Sequence, residues 1–403
     1  MRLTPARGAV GLTVAFVAAL TLTACGGGSN NKPTAARTWV AQQDDPPPVV
    51  DPQIPGQGAE PNQPNDPTQP RATPSGKPGT EQDPNVVADH LKIPWGLTVL
   101  PDGTSLVGER ATGRIVQVQP KKAPVTPVAR ITGLDTSGQG GLLGLAASPS
   151  YTEDGLVFAY VTTKKDARIL RFSVGDAPRP ILTGLPRGTT AVGGALAFGP
   201  DGDLYASTGD DGHSAKAGSL AGKILRLTVF GKPAPGNPTA GSLVYASGFH
   251  NVTGLSWDKQ DRLYATDSGA KVDELDLVTR GGRYGWPDSA GSPNKAGDTA
   301  PLLAWQPQRI GPGGLAVLGF GVFVGELTGH KLLAVSLDTH GKPHGAASPL
   351  LNNTYGRLRT VVADADGALW ITTSNRDGHG KPVPADDRVI RIKPPSSATD
   401  SPA

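Results

Sequence analysis

The stretch Gly193-Gly194-Ala195-Leu196-Ala197-Phe198-Gly199-Pro200-Asp201-Gly202-Asp203-Leu204-Tyr205 decides the fold. Apolar residues alternate as far as Phe198, a Pro-Asp-Gly turn follows, and a second apolar run starts at Leu204, which together read as a β-hairpin. The same pattern starts again near Gly96, Gly144, Gly254, Gly314 and Thr360, so the chain carries six copies. Examples are Trp95-Gly96-Leu97 before Pro101-Asp102-Gly103, and Val361-Val362 before Ala365-Asp366-Gly367. Most copies end in a third apolar strand, such as Gly222-Lys223-Ile224-Leu225-Arg226-Leu227.

Successive starts lie 46 to 60 residues apart. Uneven spacing argues against a solenoid, and several short strands per unit of about fifty residues is the spacing of propeller blades. The prediction is an all-β, six-bladed β-propeller over residues 86–393. A β-sandwich would leave six copies of one pattern without a reason. Closing the ring also removes sheet edges that would otherwise pair with other chains.

Ahead of this domain, residues 1–24 carry Arg2 and Arg7, then an apolar run from Val10 to Leu22, the layout of a secretory signal. The run ends at Leu22-Thr23-Ala24-Cys25, a lipobox, and Cys25 is the single cysteine of the chain. A diacylglycerol and an N-acyl group on Cys25 would supply several acyl chains, enough for stable anchoring to a lipid bilayer. The expected location is therefore extracytoplasmic, on the cell membrane. Residues 25–85 are crowded with Pro, Gly, Asn, Gln and Asp and read as a disordered tether, and residues 394–403 read as a disordered tail. Without a second cysteine the exported domain holds no disulfide and depends on its core.

The formal net charge is +3 with both signs interspersed, which speaks against nucleic acid as a partner. A monomer is expected. Propeller sites lie where loops converge on one end of the channel. The loops with chemical content are Gly138-Gln139-Gly140-Gly141, Thr208-Gly209-Asp210-Asp211-Gly212-His213, Phe249-His250-Asn251, Asp267-Ser268-Gly269, Asp273-Glu274-Leu275, Tyr284-Gly285-Trp286-Pro287 and Tyr355-Gly356-Arg357-Leu358-Arg359.

In this order and spacing the segments resemble the soluble quinoprotein glucose/sorbosone dehydrogenase family. The strongest matches are Gly140-Gly141-Leu142-Leu143-Gly144, Leu220-Ala221-Gly222-Lys223-Ile224-Leu225-Arg226, Asp273-Glu274-Leu275 and Tyr284-Gly285-Trp286-Pro287. The resemblance implies pyrroloquinoline quinone (PQQ) and calcium as cofactors, with Gln139, Asp211, Asn251, Arg357 and Arg359 at the quinone. It places calcium near Asp267, Gly269, Asp273 and Glu274. The family's proton acceptor, however, falls on Ala191 and its neighbouring arginine on Ala195, and a methyl group accepts no proton. His250 and His213 are the candidate replacement bases, and the family's quinone-contacting lysine falls on Gly319. Two functions stay open. One is a degenerate member that binds a sugar, an envelope glycan, another small molecule or a protein at the channel mouth. The other is an active quinone- and calcium-dependent dehydrogenase with a displaced base. A metal-dependent lactonase is a third class, without an evident ligand set.

Overall fold

The computed structural model describes residues 83–210, 218–291 and 295–399. The signal segment, Cys25, most of the tether, Asp211 and His213 lie outside the described residues. The described chain folds into six four-stranded antiparallel sheets, so the predicted six-bladed propeller is what forms. The inner strands are Pro94–Val99, Leu142–Ala147, Gly193–Phe198, Val252–Trp257, Pro312–Leu318 and Leu358–Ala363. Each packs beside the next, and the sixth beside the first, so the ring is closed around a channel.

Within a blade the strands follow chain order outward, as in Pro94–Val99, Ser105–Glu109, Arg114–Val118 and Thr126–Arg130. The sixth blade is the exception. Its outer strand is Val86–Ala88, from the start of the domain, paired antiparallel with Val389–Ile392 through Val86↔Ile390. Hydrogen bonding between the two ends of the domain thus fastens the ring.

The core lies between blades rather than inside any one of them. Phe158, Tyr160 and Ile169 of the second blade meet Leu196, Leu204 and Leu225 of the third. Tyr264 and Leu275 of the fourth meet Leu315, Val322 and Val324 of the fifth. Trp370 and Val389 of the sixth meet Val107 and Val116 of the first. Alternate residues of each strand face opposite neighbours, which is why both faces of the middle strands read as apolar.

All six inner hairpins carry an irregularity in register at the same end. It falls at Pro94/Gly96, Leu142/Gly144, Gly193/Leu196, Val252/Gly254, Pro312/Leu315 and Leu358/Val361. Bulges bend a strand and re-aim its side chains. Here they bring Trp95, Leu143, Gly194, Thr253 and Arg359 to the wall of the channel, at the end where the inner strands begin. Just beyond the bulges the blades approach closely. A Cβ on Gly96 would lie 2.7 Å from the Leu143 carbonyl oxygen, and one on Gly254 would lie 2.6 Å from the Leu315 amide nitrogen. Hydroxyls stitch the same seams: Thr98 Oγ1 accepts from the Ala147 amide (3.0 Å), Ser256 Oγ from the Val317 amide (3.0 Å), and Ser207 Oγ donates to the Val252 carbonyl (2.8 Å).

The tail differs from the expected disorder as far as Thr399. Ser396–Ala398 form a 3₁₀ turn, and the Thr399 carbonyl accepts from the Phe320 amide (2.9 Å) at the far end of the fifth blade. Backbone pairing, which a polar composition does not reveal, holds this segment.

Gly254→Ala tests the close approach, because its Cβ would meet backbone that cannot rotate away. We expect a loss of about 1–3 kcal/mol by chemical denaturation. An unchanged midpoint would show that the seam between the fourth and fifth blades yields freely.

Candidate functional site

The bulged end of the channel is built around Trp95 and three arginines. The Arg359 guanidinium lies flat over the Trp95 ring, its carbon 3.6 Å from the ring centroid, and the residue is 5 % exposed. No described residue accepts a hydrogen bond or forms an ion pair with it. Burial lowers its pKa to about 9, with Asp377 opposing and Arg357 and Arg110 adding to the shift. A desolvated guanidinium without an anion is costly unless a ligand completes it.

Arg357, two residues earlier, is differently placed. It pairs with Asp377 (3.0 Å) and donates to the Leu327 carbonyl (3.0 Å) and the Ser374 carbonyl (3.2 Å). The two arginines expected to act together thus divide: Arg359 faces the channel and Arg357 is already neutralised. Arg110, which carried no assigned role in the sequence, lies on the other side of Trp95's strand, 5.1 Å from the ring centroid. One of its nitrogens donates to the carbonyls of Gly138 (2.9 Å) and Gly140 (3.0 Å), on either side of Gln139.

On the third blade the Gly193 amide donates to Asn251 Oδ1 (2.9 Å), which joins the entry of this inner strand to the next. Ala191 is 2 % exposed, and its carbonyl lies against Gly188 and Gly209. The position therefore has neither a proton acceptor nor access to the mouth. Gly319 sits at the other end of its strand, against Thr399, so no ligand-contacting role at the mouth falls to it. The carry-over of a lysine position to Gly319 is corrected accordingly: sequence spacing ran on to the hairpin turn at the far end of the inner strand.

His250 is held from three sides. Its amide donates to Asp267 Oδ2 (2.7 Å), its carbonyl accepts from the Asp210 amide (2.7 Å), and its ring meets Trp286 edge-on with centroids 4.5 Å apart. Nδ1 lies 2.6 Å from the Ser268 carbonyl oxygen. A carbonyl only accepts, so Nδ1 carries the proton and Nε2 of the neutral ring keeps its lone pair.

Carboxylates gather on the fourth and fifth blades. Asp267 accepts from the amides of His250 and Asn251, Asp273 from those of Gly269 and Gly311 (3.2 Å each), and Glu274 from that of Gly291 (2.6 Å). Burial, with neighbouring carboxylates adding to it, raises Asp273 to about 6 and Glu274 to about 7. Asp267 is also raised, first by burial, and Asp276 well above its ordinary value by burial and by Glu274. Both oxygens of Asp276 are buried without a partner. Asp267, Asp273 and Glu274 face separate amides, and among the described residues no three acidic, His or Cys side chains converge as a metal cage. A calcium ion near Asp267, Gly269, Asp273 and Glu274 would need backbone carbonyls and waters beside these carboxylates.

Residues 91–382 match the family model described as Glucose / Sorbosone dehydrogenase. The chain belongs to that family. Quinoprotein glucose dehydrogenase B of Acinetobacter calcoaceticus is 28 % identical over 259 residues, 53 % of this chain and 54 % of its own length. The chain thus spans about half of that relative. Aldose sugar dehydrogenase YliI of Escherichia coli is 23 % identical over 337 residues, 73 % of this chain and 90 % of that one. The PQQ-bound aldose sugar dehydrogenase of Streptomyces coelicolor superposes with a TM-score of 0.73 at 39 % identity, covering 76 % of this chain and 96 % of that one.

The sequence singled out Gln139, Asn251 and Arg359, all of which begin or precede inner strands at the mouth. It gave no role to Trp95 or Arg110. Neither has a local signal, because their partners are 15 to 264 residues away in the chain.

Glu326 supplies a test of buried charge. Neither carboxylate oxygen has a hydrogen-bond partner, Lys331 is 3.8 Å away, and burial raises the group from 4.5 to about 7. A raised acid pKa means that the folded chain holds the proton more tightly. Its stability contribution is complete below about pH 4.5 and is lost as pH rises through about 7. Glu326→Gln should stabilise the chain at pH 8 by on the order of 1–2 kcal/mol, with the gain vanishing near pH 4.5. A gain that did not vary with pH would contradict the assignment.

Proposed function

We propose that this chain is a lipid-anchored, extracytoplasmic sugar dehydrogenase-like propeller whose channel mouth binds a planar small molecule bearing carboxylates, without efficient sugar oxidation. Cys25 is the anchoring residue of this reading. The observation that carries the binding is Arg359, a buried guanidinium stacked on Trp95 that, among the described residues, pairs with no carboxylate and feels only the longer-range charge of Asp377. Stacking leaves its edge nitrogens for hydrogen bonds, the arrangement suited to two-pronged capture of a carboxylate. PQQ is such a molecule, and the Streptomyces coelicolor relative is described in its PQQ-bound form.

Arg359 would hold a quinone carboxylate, Trp95 would keep the guanidinium dry, and Gln139 and Asn251 would offer amide donors from the second and fourth blades. When bound, a quinone supplies a two-electron acceptor. Oxidising a sugar hydroxyl also needs an acceptor for the hydroxyl proton, and Ala191 provides none. This is the reason to read the site as binding rather than turning over.

His250 supports a second reading, as an active dehydrogenase. With Nδ1–H committed to Ser268, its Nε2 is fixed as a proton acceptor, the protonation pattern that a general base requires.

Titration of the detergent-solubilised chain with PQQ, followed by dye reduction with aldoses, separates these readings. Micromolar binding that weakens at least tenfold in Arg359→Ala, without sugar-dependent reduction, is the expected outcome; a charge-assisted bond of about 1.5–3 kcal/mol accounts for that factor. No binding by the unmodified chain would remove the quinone from the proposal. Turnover abolished by His250→Ala at unchanged quinone affinity would establish the second reading instead. Cys25→Ala should release the protein from the membrane fraction, and retention there would contradict the lipid anchor.

A further inference from the structure

Arg110 is 8 % exposed and burial lowers its pKa against the opposing charge of Asp377, yet among the described residues it pairs with no carboxylate. Its bonds go instead to two carbonyls, those of Gly138 and Gly140. Gln139 lies between them, so a single guanidinium nitrogen brackets the residue whose side chain the resemblance places at the ligand. Its Nε is buried without a partner. Its guanidinium also lies 5.1 Å from the centroid of Trp95, the ring that carries Arg359 at 3.6 Å.

The backbone is shaped around this contact. Gly141 has φ +134°, and a Cβ there would lie 2.9 Å from Arg110 Cγ and against the Arg110 carbonyl. That carbonyl in turn accepts from the Leu142 amide (3.0 Å). On its far side the loop is tied to the third blade: the Gln139 amide donates to the Thr189 carbonyl (2.9 Å), and Arg187 pairs with Asp135 and donates to Ser137 Oγ (3.0 Å). The loop has anchors to the second and third blades, and Arg110 is the one that reaches the first blade and the Trp95–Arg359 stack.

We propose that Arg110 is a positioning residue: it locks the Gln139 loop against the Trp95–Arg359 stack, so that the amide end and the cationic end of the mouth hold one geometry. Removing it leaves both ends present but sets the loop free relative to the stack. Lysine does not replace it, since an ammonium has no planar face to set against the indole, whatever bonds its single nitrogen makes to the carbonyls.

This inference rests on the quinone-binding reading for its ligand arm, and the test keeps the two separable. In the unliganded full chain, amide hydrogen exchange at residues 135–141 should rise at least tenfold in Arg110→Gln and in Arg110→Lys. It should stay unchanged in Arg359→Ala, which leaves the loop's bonds intact. With PQQ as the probe, Arg110→Lys should weaken binding about tenfold, and its effect should not multiply with that of Arg359→Ala: the double variant should fall at least threefold short of the product. Arg110→Lys keeps the charge, so a loss of binding with a melting temperature within a few degrees of the parent separates positioning from folding.

Unchanged loop exchange in both Arg110 variants would overturn the proposal. So would a loosened loop with unaltered quinone affinity, or strictly multiplicative losses. If the parent chain does not bind the quinone, the function reading fails on its own, and the exchange measurement still decides whether Arg110 holds the loop.

Discussion

The structure depends on how closely six inner strands can approach one axis. Side chains larger than hydrogen cannot stand where one inner strand crosses the backbone of the next. Gly96 faces Leu143, Gly144 faces Gly194, Gly254 faces Leu315 and Gly313 faces Arg359. The register irregularity beside these glycines turns a residue within it, such as Trp95, Leu143 or Thr253, toward the channel. Packing and site construction are therefore one event: the geometry that lets the blades close also brings Trp95, Thr253 and Arg359 to a common opening. The hydrophobic core then lies between blades, where each blade supplies a face to both neighbours, and the Val86–Ala88 strand fastens the last to the first.

Charge at this opening is sorted by blade. Arg357 and Arg359 come from the sixth and Arg110 from the first, whereas Asp267, Asp273, Glu274 and Asp276 come from the fourth and Glu326 from the fifth. Of the cations, only Arg357 is neutralised, and by Asp377 of its own blade. The acids raise one another instead of pairing with the arginines. Both halves carry a desolvation cost that the protein alone does not offset. Such uncompensated groups concentrate at sites that meet a ligand, because the ligand supplies the missing charge.

The proposed separation of family membership from family chemistry rests on the third blade. The hairpin from Gly193 is a standard blade entry in this fold, with Asn251 of the next blade capping it. The position two residues earlier is a buried alanine, closed off by the glycine backbones at 188 and 209. Around it stand a stacked guanidinium, the side-chain amides of Gln139 and Asn251, and the His250 imidazole, the groups on which the proposed binding rests. Binding survives loss of one proton acceptor, while proton transfer does not.

Much of this was legible in the sequence, since it followed from local periodicity. Six copies of a hairpin pattern at 46 to 60 residues named the propeller and the number of blades, and the loops between copies located Gln139, Asn251 and Arg359. The outer strands were not legible, because segments such as Thr126–Arg130 are half exposed and lack alternation. The tail to Thr399 also escaped, held by backbone pairing that leaves no compositional mark. In the site, the sequence determined which side chains are present and that Ala191 has no proton to exchange. Only the tertiary structure decided which of them act together. Arg357 and Arg359 are two residues apart, yet a bulge and the single carboxylate of Asp377 give them opposite roles. Trp95 and Arg359 are most of the domain apart, yet closing the ring stacks them, because the first and last blades are neighbours only in space.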